Sequence, residues 1–142
     1  KGLPLLKPPW GRITAIDLNA GEILWQVPNG ETPDYVREHP ALKEVAFNRT
    51  GRPDRAGLLL TKTLLFAGEG AGLYSQFGGG GNMLRAHDKE SGKIVSEFKL
   101  PSNQTGLPMT YLLNGKQYVV LAIGSRNYPA ELIALCLKDK EG

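Results

Sequence analysis

The stretch Thr14–Val27, TAIDLNAGEILWQV, returns as Arg85–Phe98, RAHDKESGKIVSEF. Ala15 answers to Ala86, Asp17 to Asp88, Gly21 to Gly92 and Ile23 to Ile94, all at one offset (88 − 17 = 71). In the first copy an apolar-alternating run (Ile13, Ala15, Leu18) meets a turn at Asn19-Ala20-Gly21 and returns through Ile23-Leu24-Trp25. Each copy therefore reads as a two-stranded antiparallel ribbon, with glycine at the corner where the chain takes a positive φ. A strand pair cannot bury its apolar face alone. Repeated at fixed spacing, it calls for a stacked β architecture.

The rest of the chain breaks into short runs of the same kind. Eighteen glycines and ten prolines suit hairpins and not helix bundles. Strands are expected at about 12–18, 22–27, 58–61, 63–67, 83–88, 93–99, 109–113, 117–123 and 132–137, with Pro28-Asn29-Gly30, Pro101 and Asn114-Gly115 as stops and turns. Residues 31–56 lack strand alternation and form a surface excursion in which Thr32-Pro33 opens one short helical turn. Residues 68–81 are a glycine-rich loop by composition. The class is all-β. Grouped by fours, the strands give a partial β-propeller, one complete four-stranded blade flanked by two incomplete blades. Lys1 is no initiator, and residues 1–142 are expected to be a piece of a longer polypeptide.

Composition narrows the function classes. The net charge of +3 is spread over scattered lysines and arginines, so no nucleic-acid partner is expected. Cys136 is the only cysteine, which excludes an internal disulfide and a thiolate metal cage; in its apolar run it reads as a buried small hydrophobe. No apolar run is long enough to span a bilayer. His39 and His87 have no partners at metal or triad spacing. Asp17 and Asp88 end strands just before turns, where a carboxylate binds turn amides more often than it serves as a base. Gly78–Gly81 precede a strand and no helix, unlike a phosphate cradle.

Ala15, Gly21 and Trp25, first, seventh and eleventh in their repeat, resemble the tryptophan-docking motif of the pyrroloquinoline-quinone-dependent dehydrogenases. In that motif an indole lies flat against an alanine and a glycine peptide of the neighbouring blade, which only small residues permit. The second copy keeps Ala86 and Gly92 but has Ser96 in place of the tryptophan, so its contact should be weaker. Pro9-Trp10-Gly11 is similar to the membrane glucose and quinate dehydrogenase branch. Gly106-Leu107-Pro108-Met109-Thr110-Tyr111 with Gly115-Lys116-Gln117-Tyr118-Val119-Val120 resembles the last full blade of the family.

The resemblance implies an eight-bladed, periplasmic or periplasm-facing propeller. Pyrroloquinoline quinone (PQQ) lies there near the axis beside calcium and takes a hydride from an alcohol or sugar, with an aspartate as general base. It places that base, the calcium carboxylates and the stacking tryptophan in upstream blades. No catalytic residue and no metal ligand is assigned here, and the fragment alone is expected to be inactive and to bind no cofactor. What carries over is the loop over the quinone, here Gly124, Ser125, Arg126, Asn127 and Tyr128 followed by Pro129, where relatives have Gly-Gly-His or Gly-Gly-Trp. Arg126 stands there either as a bidentate carboxylate holder or in a loop-tip salt bridge, and Arg52 and Arg55 carry the same two readings. The implied partners are the remaining blades and a small alcohol or sugar, with a second copy of the chain at the open edges 12–18 and 132–137. The alternative is a non-catalytic propeller scaffold for protein binding.

Overall fold

The computed structural model describes residues 2–70 and 80–137. The strands are β1 (Arg12–Asp17), β2 (Glu22–Pro28), β3 (Leu58–Leu60), β4 (Leu64–Gly68), β5 (Met83–Asp88), β6 (Ile94–Lys99), β7 (Met109–Leu113), β8 (Lys116–Ser125) and β9 (Tyr128–Cys136). They form three antiparallel sheets, β1-β2, β3-β4-β5-β6 and β7-β8-β9. This is the expected grouping, one complete blade between two incomplete ones.

The repeat in the sequence is a repeat in space. Both ribbons carry a register shift at the same point, between Ala15 and Ile16 and between Ala86 and His87. Both turn through a glycine of positive φ, +70° at Gly21 and +71° at Gly92. Each glycine amide donates to the carbonyl of the aspartate four residues back, at 2.7 Å to Asp17 and 2.9 Å to Asp88. Asp17 Oδ1 also accepts from the amides of Asn19 and Ala20, and Asp88 Oδ1 from the amide and hydroxyl of Ser91. Both carboxylates are thereby spent on turns, and hydrogen bonds from Ser91 hold the Asp88 carboxyl below its ordinary pKa.

Two cores lie between the sheets. Ile13, Leu65 and Ala67, with Trp25 and Val27 against them, fill the first interface. Leu84, Leu100, Leu121 and Ile123, with Phe66, Tyr128, Ile133 and Leu135, fill the second. Odd-numbered residues of β4 serve the first core and even-numbered ones the second, the two-residue period of a strand covered on both faces. At the first interface the six-membered ring of Trp25 covers Gly92. A Cβ added there would come within 2.7 Å of Trp25 Cε3, closer than carbon atoms approach. The indole Nε1 donates to the Lys89 carbonyl at 3.0 Å. Gly21, the counterpart of Gly92, has no atom of the described residues within 4 Å of its added Cβ.

The structure departs from expectation in three places. β8 runs on to Ser125 and β9 begins at Tyr128, so the loop expected at 124–129 is a two-residue turn at Arg126-Asn127. A register shift between Ile123 and Ser125 absorbs Gly124 and lets Ser125 pair with Tyr128. Cys136 is exposed and not buried, because β9 is the edge of its sheet. The helical turn does form, as α1 (Asp34–Arg37), but Thr32 does not cap it; its hydroxyl donates instead to the Asn48 carbonyl at 3.0 Å. Most of the loop expected at 68–81, and Gly78 and Gly79 of the four-glycine run, lie outside the described residues.

Candidate functional site

The end of the middle sheet that holds Leu58, Gly68, Met83 and Lys99 gathers a group of buried polar side chains, Asn29, Glu69, Arg85 and Gln104. β5 is covered on both faces, so a charged side chain on it has no route to bulk water. Arg85 is such a side chain, 2% exposed. Its three nitrogens each meet a carboxylate: Nη1 with Glu69 at 2.7 Å, Nε with Glu97 at 2.6 Å and Nη2 with Glu31 at 3.2 Å. Arg49 bonds the same Glu31 and Glu97 oxygens at 2.6 and 2.9 Å. Burial pulls the Arg85 pKa down, but the hydrogen bonds and charges of Glu69 and Glu97 outweigh it and leave the guanidinium more basic than usual.

This network joins elements far apart in the chain. Glu31 and Arg49 belong to the segment leaving β2, whereas Glu69 follows β4 and Glu97 lies on β6. Beside it the Arg52 amide donates to the Asn29 carbonyl at 2.8 Å, and Asn29 Nδ2 donates to the Gly68 carbonyl at 2.9 Å. Arg52 Nη1 donates to the Gly80 carbonyl at 3.0 Å and Nη2 lies 3.6 Å from Asp34. The ends of the glycine-rich segment are thus clamped, since Gly81 also donates to Gly70 and has no room for a Cβ against Glu69.

Glu97 makes the network sensitive to acid. The hydrogen bond from Arg85 holds its carboxyl below the ordinary 4.5 despite some desolvation. A depressed carboxylate pKa contributes stability that is complete above the unfolded value and is lost as pH falls through the folded one. Urea midpoints should therefore hold steady from neutral pH down to about 4.5 and drop below it, and Glu97→Gln should flatten that drop.

Gln104 performs the same joining at the second interface. It is 1% exposed, bridges to Ile123, and its Nε2 donates to the carbonyls of Gly57 and Gly106 at 2.9 and 2.7 Å. Gly68 has no Cβ room against it. Next to Gln104 a groove of about 300 Å³ opens among Arg55, Ala56, Gly57, Thr105, Gly106 and Leu107, where β3 and β7 begin. Of the cations singled out in the sequence, Arg55 lines this groove, while Arg52 is taken up by Gly80 and Asp34.

The five residues Gly124 to Tyr128 are not brought together as a cradle. Gly124 is buried, its amide donating to the Asn103 carbonyl at 2.9 Å, and an added Cβ would come within 3.3 Å of Ala130 Cα. Ser125, Arg126 and Asn127 are exposed at the tip, and Arg126 has no ion pair among the described residues. Tyr128 packs its ring on the second core and donates its hydroxyl to Glu131 at 3.0 Å, which raises its pKa. With Gly124 and Tyr128 engaged within the fold and the other three facing solvent, the five do not form an enclosure for a planar tricarboxylated quinone. Nor are three His, Cys, Asp or Glu side chains gathered for a metal among the described residues.

Sequence reasoning missed Arg85, Glu69, Glu97 and Gln104. One signal was present: a blade strand with sheets on both sides has no wet face, so Arg85 required partners. His87, which has no partner at metal or triad spacing in the sequence, is fully buried with Nδ1 2.9 Å from the carbonyl of Gly92, the glycine that Trp25 covers. His39 accepts from the Ala41 amide at 3.2 Å.

Residues 1–119 match the family described as "PQQ: Glucose/ethanol/alcohol dehydrogenase, beta-propeller domain". The chain is 36% identical over 124 residues to a quinoprotein glucose dehydrogenase of Escherichia coli (strain K12), covering 87% of the chain and 14% of the relative. It is 34% identical over 129 residues to a probable quinate dehydrogenase (quinone) of Xanthomonas campestris pv. juglandis, covering 87% and 15%. It is 33% identical over 128 residues to a glycerol dehydrogenase large subunit of Gluconobacter thailandicus, covering 89% and 16%. The chain thus spans about one-sixth or less of the length of these relatives. With a 2–4–3 set of antiparallel sheets, an indole seated on the neighbouring blade's glycine and a family match over most of its length, the chain belongs to the β-propeller family of the PQQ-dependent glucose, ethanol and alcohol dehydrogenases.

Proposed function

We propose that these residues form C-terminal blades in the wall of a periplasm-facing quinoprotein dehydrogenase that oxidises a small alcohol or sugar. The supporting observation is the Trp25–Gly92 contact, in which the indole of one sheet is seated on a glycine of the next. In this reading the hydride-accepting chemistry would be supplied by PQQ, held with calcium and the catalytic base by blades other than these. The residues here supply part of the rim. On the same reading Arg55 and the Gly57–Gly106 groove, beside the starts of β3 and β7, would lie toward the axis of the full ring, and the Arg85 network keeps the segments around them in place. The turn at Arg126-Asn127 presents a guanidinium and an amide at the rim without enclosing a ligand.

The experiment is a reconstitution. The 142-residue chain with PQQ, calcium and an artificial electron acceptor should reduce nothing when offered glucose, glycerol or quinate. A full-length polypeptide carrying these residues should show calcium-dependent turnover and a visible absorbance change on binding PQQ. Turnover by the 142 residues alone would overturn the assignment of the chemistry to other blades. A full-length protein indifferent to PQQ would instead make the propeller a protein-binding scaffold.

The open edges lead to a further expected result. Ile16, Leu18, Leu132 and Leu137 are exposed along or beside β1 and β9, and among the described residues each of these strands leaves one edge unpaired. The isolated chain should self-associate in sedimentation as its concentration rises. A clean monomer at high concentration would contradict edge pairing.

A further inference from the structure

The two sheet interfaces are built on one plan but filled differently. At the first, Trp25 is the cross-strand partner of Ala15 and its indole reaches over to Gly92. One repeat later the cross-strand pair is Ala86 with Ser96. There a groove of about 300 Å³ opens between the middle and third sheets, lined among others by Phe66, Ala86, Ser96, Phe98, Val119 and Leu135. Among the described residues no charged side chain lines it.

We propose that this groove is a binding site for a small, neutral, planar aromatic compound of the indole class. The occupant is indicated by the molecule's own precedent, since the matching slot one repeat earlier holds an indole between the same kinds of strands. Facing sheets lie about 10 Å apart, and the small side chains of Ala86 and Ser96 line the gap between them. Phe66 and Phe98 offer ring contacts, and Ser96 and Gln117 supply polar groups for a ring N–H. The volume lies at the lower end of the range for small-molecule sites, roughly 300–1,000 Å³, and such sites are mostly apolar with a few polar groups. An apolar cavity of roughly half this size in another protein stays dry and takes up benzene. The site lies near the end of the sheets away from Gln104 and the Arg85 network, where the β3–β4 turn residues Thr61 and Thr63 also line it. It is independent of any role in dehydrogenation.

The test uses the 142-residue chain and indole as the probe, followed by amide chemical shifts. Saturable shifts confined to Phe66, Ser96, Val119, Leu135 and their neighbours are expected, with the Lys89–Gly92 turn unmoved. Ser96→Trp places an indole in the groove covalently. It should abolish the indole response and raise the melting temperature by several degrees. Ser96→Leu fills the groove in part and should weaken binding several-fold, which keeps the test informative if the tryptophan is too large to accommodate. The proposal is overturned if indole gives no saturable, localised shifts, or if both variants bind it as well as the parent chain does.

Discussion

Replacing Trp25 with alanine is expected to remove about 3 kcal/mol of stability, a large share of what a domain of this size possesses. Three losses combine. The ring leaves the first core, where it packs with Ile13, Leu65, Ala67 and Val27. The Lys89 carbonyl loses its donor. Gly92 loses the surface that fixes its turn against the neighbouring sheet. The ring is only half-buried, so the cost should fall at the lower end of the usual range for truncating a large aromatic. Gly92→Ala should cost a similar amount by a different route, because the methyl would collide with the indole while the backbone holds φ at +71°. Gly21→Ala provides the control. It shares the positive φ but has nothing above it, so only the backbone term applies. Urea midpoints would rank the three. A Gly92→Ala cost no larger than that of Gly21→Ala would show that the indole does not press on this glycine.

The second large effect concerns Arg85. Arg85→Met leaves Glu69, whose side chain is 4% exposed, without its cation, and breaking such a pair on one side costs about 3–5 kcal/mol. Arg85→Lys should recover little, since an ammonium cannot reach Glu31, Glu69 and Glu97 in three directions at once. Changing both partners, Arg85→Met with Glu69→Leu, should restore much of the loss because no buried charge is then left unpaired. The cycle is read from urea unfolding of the two single variants and the double variant. If the double variant is as unstable as the sum of the singles, the pair does not act as a unit.

What was legible in the chain follows the physics of each feature. The strands and their grouping were readable because alternation, proline stops and the Asn114-Gly115 corner are local signals, and the blade contact at Trp25 because a docking motif states both partners in one repeat. The turn at 126–127 was not readable. Its register depends on a bulge at Gly124 that only cross-strand pairing with β9 reveals. Exposure of Cys136 was missed for a related reason, since an apolar run looks the same whether or not another strand covers it. The Arg85 network was hidden because its five members are drawn from Glu31 to Glu97, and no spacing rule connects them. The groove by Gln104 was equally silent, because Gln104 is held there by backbone carbonyls of glycines that precede two different sheets.

The joint between neighbouring blades is tested most directly by proton NMR of Trp25 and Gly92. Seated as the structure has it, the glycine α-protons lie in the shielding cone of the indole and should resonate well upfield of their ordinary position, with cross-peaks to Hε3 and Hζ3 of the ring. The indole N–H, bonded to the Lys89 carbonyl, should exchange slowly with water. Ordinary α-proton shifts, no cross-peaks and an indole proton exchanging as freely as in an open peptide would contradict the blade-to-blade account.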